Sequence, residues 1–304
     1  MAEKKKSKTK KTVKSQARSL QRQLLVGLGG LCLIAAGVYL SFSGMLQPPE
    51  TRLTEMKKIP SEVKRTIQYA TPSATFRVPI LMYHYVEIVQ NKQDKIRVSL
   101  DTPPGVLASQ IKTLQDGGYT FMTASQLADV LDGKAKLPEK PILLTFDDGH
   151  RDFYTDVLPI LKQYHVKATN YVISGFLGGT DFMTAAQVKE VARSGLVEIG
   201  AHTVHHLALK GRFPQVLQYE VRDSKNTLER LIHQPVVSFA YPYGSFDLQA
   251  IQAVKDAGFR TAVSTIPGIE VNQQNRYFLY RIRPGYRTGQ ELLLFLQQTS
   301  YKAW

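Results

Sequence analysis

The chain has 304 residues, 43% of them hydrophobic, and a formal net charge of +14. That length suits one large domain or two small ones with tails, and the apolar content allows a sizeable core. A single cysteine excludes an intrachain disulfide and a cysteine-based zinc cluster.

The charge is uneven. Residues 1–23 carry nine Lys and Arg against Glu3 alone, while the other 281 residues hold 30 basic and 24 acidic side chains. Leu24 to Leu46 follows with no charged residue in 23 positions, long enough to cross a bilayer core. Basic residues on its N-terminal side hold that end in the cytoplasm. The tail therefore lies beside lipid, and no nucleic-acid partner is expected. The alternative is a cleaved signal peptide, for which Ser41-Phe42-Ser43 is a weak small-x-small site, but the long charged region before the run favours an uncleaved anchor. Cys32 follows Leu31, not the small residue of a lipoprotein site. Pro48, Pro49, Pro60 and Pro72 mark residues 47–75 as a linker. The expected organisation is a basic cytoplasmic tail at 1–23, a transmembrane signal anchor at 24–46, an extracellular linker at 47–75 and a catalytic domain at 76–304. A single-pass cell-membrane protein with its N-terminus in the cytoplasm is expected, released only if the signal is cleaved, and a monomer is expected.

From Val78 onward, short apolar runs alternate with helical patterns. Val78–Tyr83 reads as a buried strand, and Leu107, Ile111 and Leu114 share one helix face. Pro141–Phe146 is a second strand, followed by a helical stretch to Tyr164 that contains Pro159. Ala168–Ser174 is a strand, Ala185–Arg193 a helix and Val197–Gly200 a short strand. A long helical region spans Phe213–Ile232, and Val236–Ala240 is again a strand. Leu248, Ile251 and Val254 mark a helix, Arg260–Thr265 a strand and Gln290–Gln298 a final helix. Strands separated by helices indicate parallel β/α units, and about six of them suit a barrel, whose chemistry lies at the C-terminal ends of the strands.

Polar clusters follow three of these strands. Thr145-Phe146-Asp147-Asp148-Gly149 places adjacent carboxylates at a strand end, a pattern that a solvated turn or helix cap also produces. His202-Thr203-Val204-His205-His206 spaces two imidazoles at i and i+4, a common zinc pair; an exposed His-rich loop is the other reading, and His205 is a possible substitute ligand. Phe239-Ala240-Tyr241-Pro242-Tyr243-Gly244 is a turn and weak by itself. Together, Asp148, His202 and His206 supply three N/O ligands and leave a position open, the stoichiometry of a hydrolytic zinc site. Asp147, beside them, is the natural general base.

With these motifs in order, the sequence resembles the polysaccharide deacetylase family, which shares the NodB homology domain (carbohydrate esterase family 4), over about residues 76–285. The resemblance implies an α/β fold, a distorted (β/α)7 barrel of NodB type, here preceded by one N-terminal transmembrane helix. It implies a hydrolase of linear amides with Asp147 as base, Asp148, His202 and His206 as ligands of a divalent metal, and the Tyr243 backbone N–H at the oxyanion. Zinc suits two imidazoles and a carboxylate, with cobalt, nickel or manganese as substitutes.

The chain departs from the family pattern twice. The third motif usually begins with an arginine that positions the catalytic aspartate, and Ala240 stands there. The usual C-terminal Leu-x-His acid is also missing, since the only histidine after His206 is His233. Among the rest, His165 is peripheral and His150 points unpredictably. His84, in Ile80-Leu81-Met82-Tyr83-His84, ends the first barrel strand and faces the site, so it is expected to be the acid. Met-Tyr-His and Phe-Ala-Tyr-Pro-Tyr-Gly are similar to the branch that deacetylates poly-β-1,6-N-acetylglucosamine of biofilm matrix. The expected partner is thus an N-acetylglucosamine-containing polysaccharide. Peptidoglycan or chitooligosaccharide is the alternative substrate, and a carbohydrate-binding protein that has lost catalysis is the alternative function, motivated by Ala240. Phe278, Tyr280, Arg281 and Arg283 fit a sugar groove or a plain strand equally and stay outside the predicted site.

Overall fold

The computed structural model describes residues 74–299. The expected tail at 1–23, anchor at 24–46 and most of the linker lie outside the described residues. Among those described, no helix is long and apolar enough to cross a membrane.

The chain enters through β1 (Phe76–Arg77) and β2 (Ile80–Tyr83). A rim helix, α1 (Lys95–Leu100), buries no residue, so it leaves no apolar period to read in the sequence. Helix α2 (Pro104–Asp116) buries Leu107, Ile111 and Leu114 as expected. Strand β3 (Thr120–Met122) and helix α3 (Ala124–Leu131) are additions to the sequence reading. The α3 start is a capping box, with Thr123 and Gln126 satisfying each other's backbone N–H. Strand β4 (Pro141–Phe146) is buried at every residue, the mark of a parallel strand covered on both faces.

A π-helical turn at Phe153–Val157 leads directly into α4 (Leu158–Tyr164), which carries Pro159 at its second position. Then follow β5 (Ala168–Val172), α5 (Ala185–Arg193) and β6 (Val197–Ala201). The expected long helix is α6 (Pro214–Gln218) joined to α7 (Ser224–Ile232) through a π-helical turn at Tyr219–Asp223. Strand β7 (Ser238–Ala240), α8 (Leu248–Asp256), β8 (Thr261–Val263), β9 (Glu270–Val271) and α9 (Gly289–Gln298) complete the chain.

The main sheet is parallel, in the order β2-β4-β5-β6-β7-β8, with β3 alongside β4. Residues 279–282 act as one more stave. The Leu279 amide donates to Ala262 at 2.8 Å, and the Met82 amide donates to Ile282 at 2.9 Å. The last stave thus bridges β8 back to β2 and bends the sheet into a distorted barrel. Strand β2 begins at Ile80 rather than Val78, because the Val78 amide bonds Ile269 and extends the antiparallel β1–β9 pair.

Strand alternation divides the core. Leu81, Leu144, Phe239 and Ala262 point outward to the helices, while Ile80, Leu143, Ala240, Val263 and Leu279 pack together inside. Counting by twos from Ile80, Leu143 and Leu279 brings His84, Asp147 and Arg281 to the inner side at the C-terminal rim.

Candidate active site

Asp147 and Asp148 follow β4 directly, and the turn that begins at Asp148 keeps both carboxylates near His84 and His202. Asp148 turns at φ 75° and Gly149 at φ 74°, both left-handed, which costs the aspartate about 1 kcal/mol or more. A Cβ on Gly149 would sit 3.1 Å from the Val172 side chain, so glycine suits a left-handed position that is also tightly packed.

Asp147 is 3% exposed and clamped by Arg281, whose Nη1 and Nη2 donate to Oδ1 and Oδ2 at 2.7 Å each. The guanidinium also donates to Thr145 Oγ1 at 3.1 Å and to the Ser264 carbonyl at 2.8 Å. Burial alone would raise the Asp147 pKa, but the Arg281 charge and hydrogen bonds overcome it and hold the carboxyl below its ordinary value. His84 Nε2 lies 3.8 Å from Asp147 Oδ2. Burial pushes the His84 imidazole down to about 4, against the opposing pull of Asp147 and Asp148.

Asp148 Oδ1 faces His202 Nε2 and His206 Nε2, each at 3.3 Å. His202 directly follows β6, and its Nδ1 hydrogen-bonds the Ala240 carbonyl at 2.7 Å, which leaves Nε2 aimed at the carboxylate. His206 is in the left-handed region at φ 55°. The three ligand atoms lie within 4.8 Å of one another. Oδ1 is buried and, among the described residues, accepts no hydrogen bond. Two imidazole nitrogens converging on an orphaned carboxylate oxygen fit a divalent cation, the role expected of Asp148, His202 and His206.

Two residues that sequence reasoning left aside hold this trio. His150 Nε2 bonds the other Asp148 oxygen at 3.2 Å. Its ring is sandwiched between Tyr85 and Phe182, with centroids at 4.0 and 5.1 Å. Burial acts to raise the Asp148 pKa, yet the His150 hydrogen bond and the neighbouring His202 and His84 imidazoles hold it well below the ordinary carboxylate value. Glu220, buried in the π-helical turn, accepts from the backbone N–H of Val204 and His205 at 3.0 and 2.9 Å. Its other oxygen contacts His205 Nδ1 at 2.9 Å, so His205 braces the loop through Glu220. Tyr243 takes φ 59° in its turn, and its half-exposed ring lies 4.5 Å from that of His206. His165 and His233 are left-handed helix C-caps, away from the chemistry.

The structure therefore gathers all six expected residues, namely His84, Asp147, Asp148, His202, His206 and Tyr243, around one rim. It corrects the reading of the last stave. Phe278 and Tyr280 are core residues, and Arg281 belongs to the site. A wholly buried arginine on an apolar strand must be paired, and that was the available signal. Arg281 brings to Asp147 a guanidinium like the one the third motif would have carried at Ala240, from another stave.

A family profile described as polysaccharide deacetylase matches residues 134–262. YxkH of Bacillus subtilis (strain 168), a protein with a polysaccharide-deacetylase designation, is 33% identical over 235 residues, covering 77% of this chain and 80% of YxkH. A poly-beta-1,6-N-acetyl-D-glucosamine N-deacetylase of Staphylococcus aureus (strain MSSA476) is 27% identical over 187 residues, 57% of this chain and 64% of that protein. Among solved structures, the Streptococcus pyogenes deacetylase PplD, in complex with acetate, superposes with a TM-score of 0.67 at 30% identity, covering 75% of this chain and all of PplD. The chain belongs to the polysaccharide deacetylase family, and it is a hydrolase acting on amides.

Proposed function

We propose that this protein removes N-acetyl groups from an extracellular N-acetylglucosamine polymer, with the β-1,6-linked polymer as substrate. The observation that carries this reading is the His84–Asp147–Arg281 line on the inner rim, where the acid comes from the first main strand and the arginine from the last stave. The similarity to the staphylococcal deacetylase supports the linkage. Arg281 also removes the motive for a binder without catalysis, because Ala240 no longer implies an unsupported Asp147.

Asp148, His202 and His206 would hold the metal, for which zinc suits the donor set and cobalt, nickel or manganese are substitutes. When bound, a divalent cation supplies Lewis acidity and lowers the pKa of water. Asp147, ionised under the Arg281 clamp, accepts a proton from the attacking water. The Tyr243 backbone N–H donates to the developing oxyanion. Neutral His84, whose Nε2 lies 3.8 Å from Asp147 Oδ2, takes up that proton through one intervening water and delivers it to the leaving nitrogen. Water and the acetamide are consumed, and acetate and a glucosamine residue are released. The proposal includes a membrane anchor at 24–46 behind the basic tail at 1–23, which would set this chemistry outside the cell membrane.

The test is acetate release by the full chain from defined β-1,6 and β-1,4 oligomers, with each metal supplied in turn. Activity confined to β-1,4 oligomers or peptidoglycan refutes the linkage. Loss of activity in Asp147→Asn together with full activity in His84→Ala refutes the acid assignment.

A further inference from the structure

The loops that carry the site extend beyond it. The loop after β6 bears His202 and His206 and ends at Phe213, and the loop after β7 bears Tyr243 and ends at Leu248. Both lie at the C-terminal face, since each leaves a parallel strand and starts an outer helix. Between their outer ends is a cavity of about 630 Å³ lined by Arg212, Phe213, Pro214, Asp247, Leu248 and Gln249. It shares Pro214 and Gln249 with a second cavity of about 590 Å³ that continues between α6 and α8.

The walls are fixed. Asp247 accepts from the Gly211 amide at 2.7 Å through Oδ2 and caps α8 through Oδ1 at 2.9 Å from the Ala250 amide. One carboxylate thus ties the two loops together. On this frame Phe213 is 77% exposed and Leu248 39% exposed. Both side chains line the same cavity, so the open phenyl ring of Phe213 offers it an apolar face beside Leu248. The second cavity carries the planar amides of Gln215, Gln218, Gln249 and Gln252, the last donating to Asp256 at 2.7 Å, while Arg222 pairs with Asp223 at 3.3 Å.

An aromatic face beside several amides matches a neutral pyranose, whose C–H face stacks and whose hydroxyls both donate and accept. We propose that this groove is a distal saccharide subsite, which takes a part of the polymer several sugars away from the acetamide being hydrolysed. The proposal rests on the reading of the substrate as an N-acetylglucosamine polymer. Phe213 sets the preference for long chains. The groove begins on the same two loops as His206 and Tyr243, so one extended chain can occupy both.

The experiment measures KM and kcat of the full-length, metal-loaded protein on a β-1,6-linked N-acetylglucosamine trimer and on the long polymer, with Phe213→Ala, Phe213→Leu and Phe213→Tyr. Loss of one stacking surface predicts a KM for polymer raised roughly five- to tenfold in the alanine and leucine variants. Their kcat and trimer kinetics stay unchanged, and Phe213→Tyr restores the wild-type value. Equal KM in all four proteins, or an equal change on trimer and polymer, overturns the subsite while leaving the substrate reading intact. A leucine variant that keeps wild-type KM overturns ring stacking as its basis. Wild-type protein that releases acetate from neither substrate overturns both.

Discussion

Replacing Arg281 with methionine isolates what the structure adds to the motifs. The side chain is wholly buried, donates twice to Asp147 at 2.7 Å and fixes it from 134 residues away in sequence. Removing one partner of such a pair leaves a buried, uncompensated carboxylate, a cost of about 3–5 kcal/mol. For a domain of this size, about 2–4 °C per kcal/mol translates this into a Tm lower by roughly 6–20 °C. The Asp147 pKa rises, because burial remains and the opposing cation is gone. The acid limb of kcat/KM therefore moves to higher pH, a change that simple loosening of the barrel would not produce. Adding Asp147→Leu to Arg281→Met removes both charges and recovers much of the stability. Urea titration gives the stabilities and a pH–rate profile gives the limb. A destabilisation under about 1 kcal/mol, comparable to an exposed pair, or an unmoved acid limb, refutes the clamp.

Three further outcomes follow from the same geometry. His84→Ala lowers kcat by about 10²–10⁴-fold with metal content unchanged; elemental analysis beside the kinetics checks this, and lost metal would contradict the acid role. His150→Phe keeps a ring between Tyr85 and Phe182 but removes the bond to Asp148, so metal affinity falls by about 10–100-fold in chelator competition. Unchanged affinity would mean that His150 merely packs. Asp152 is buried, accepts the Val86 amide at 2.7 Å and is pushed up to about 6 by burial. Its contribution is fully present below the unfolded carboxyl pKa and is lost as pH rises through about 6, leaving a cost of about 3 kcal/mol at pH 8. Asp152→Asn, which preserves an acceptor, therefore raises Tm at pH 8 and not at pH 4; an equal gain at both would rule out ionisation as the cause.

Local sequence determined the parallel β/α order, the two motif turns and the side to which strand ends point. These depend on periods of two and four residues and on glycine beside a strand end, all contained in a few consecutive positions. His84, Asp147 and His202 were legible because alternation from an apolar strand carries each to the inner rim. The short β3, and α1 with no buried residue, left no period to read. Tertiary structure alone decided the support of the site. Arg281 reaches Asp147 only because the last stave returns to β2, and Glu220 reaches the His202–His206 loop only because a π-helical turn presents it there. His150 stands two positions from its partner, yet its direction depends on Tyr85 and Phe182 closing around the ring. A buried charge requires a partner, but only the closed barrel chooses which one.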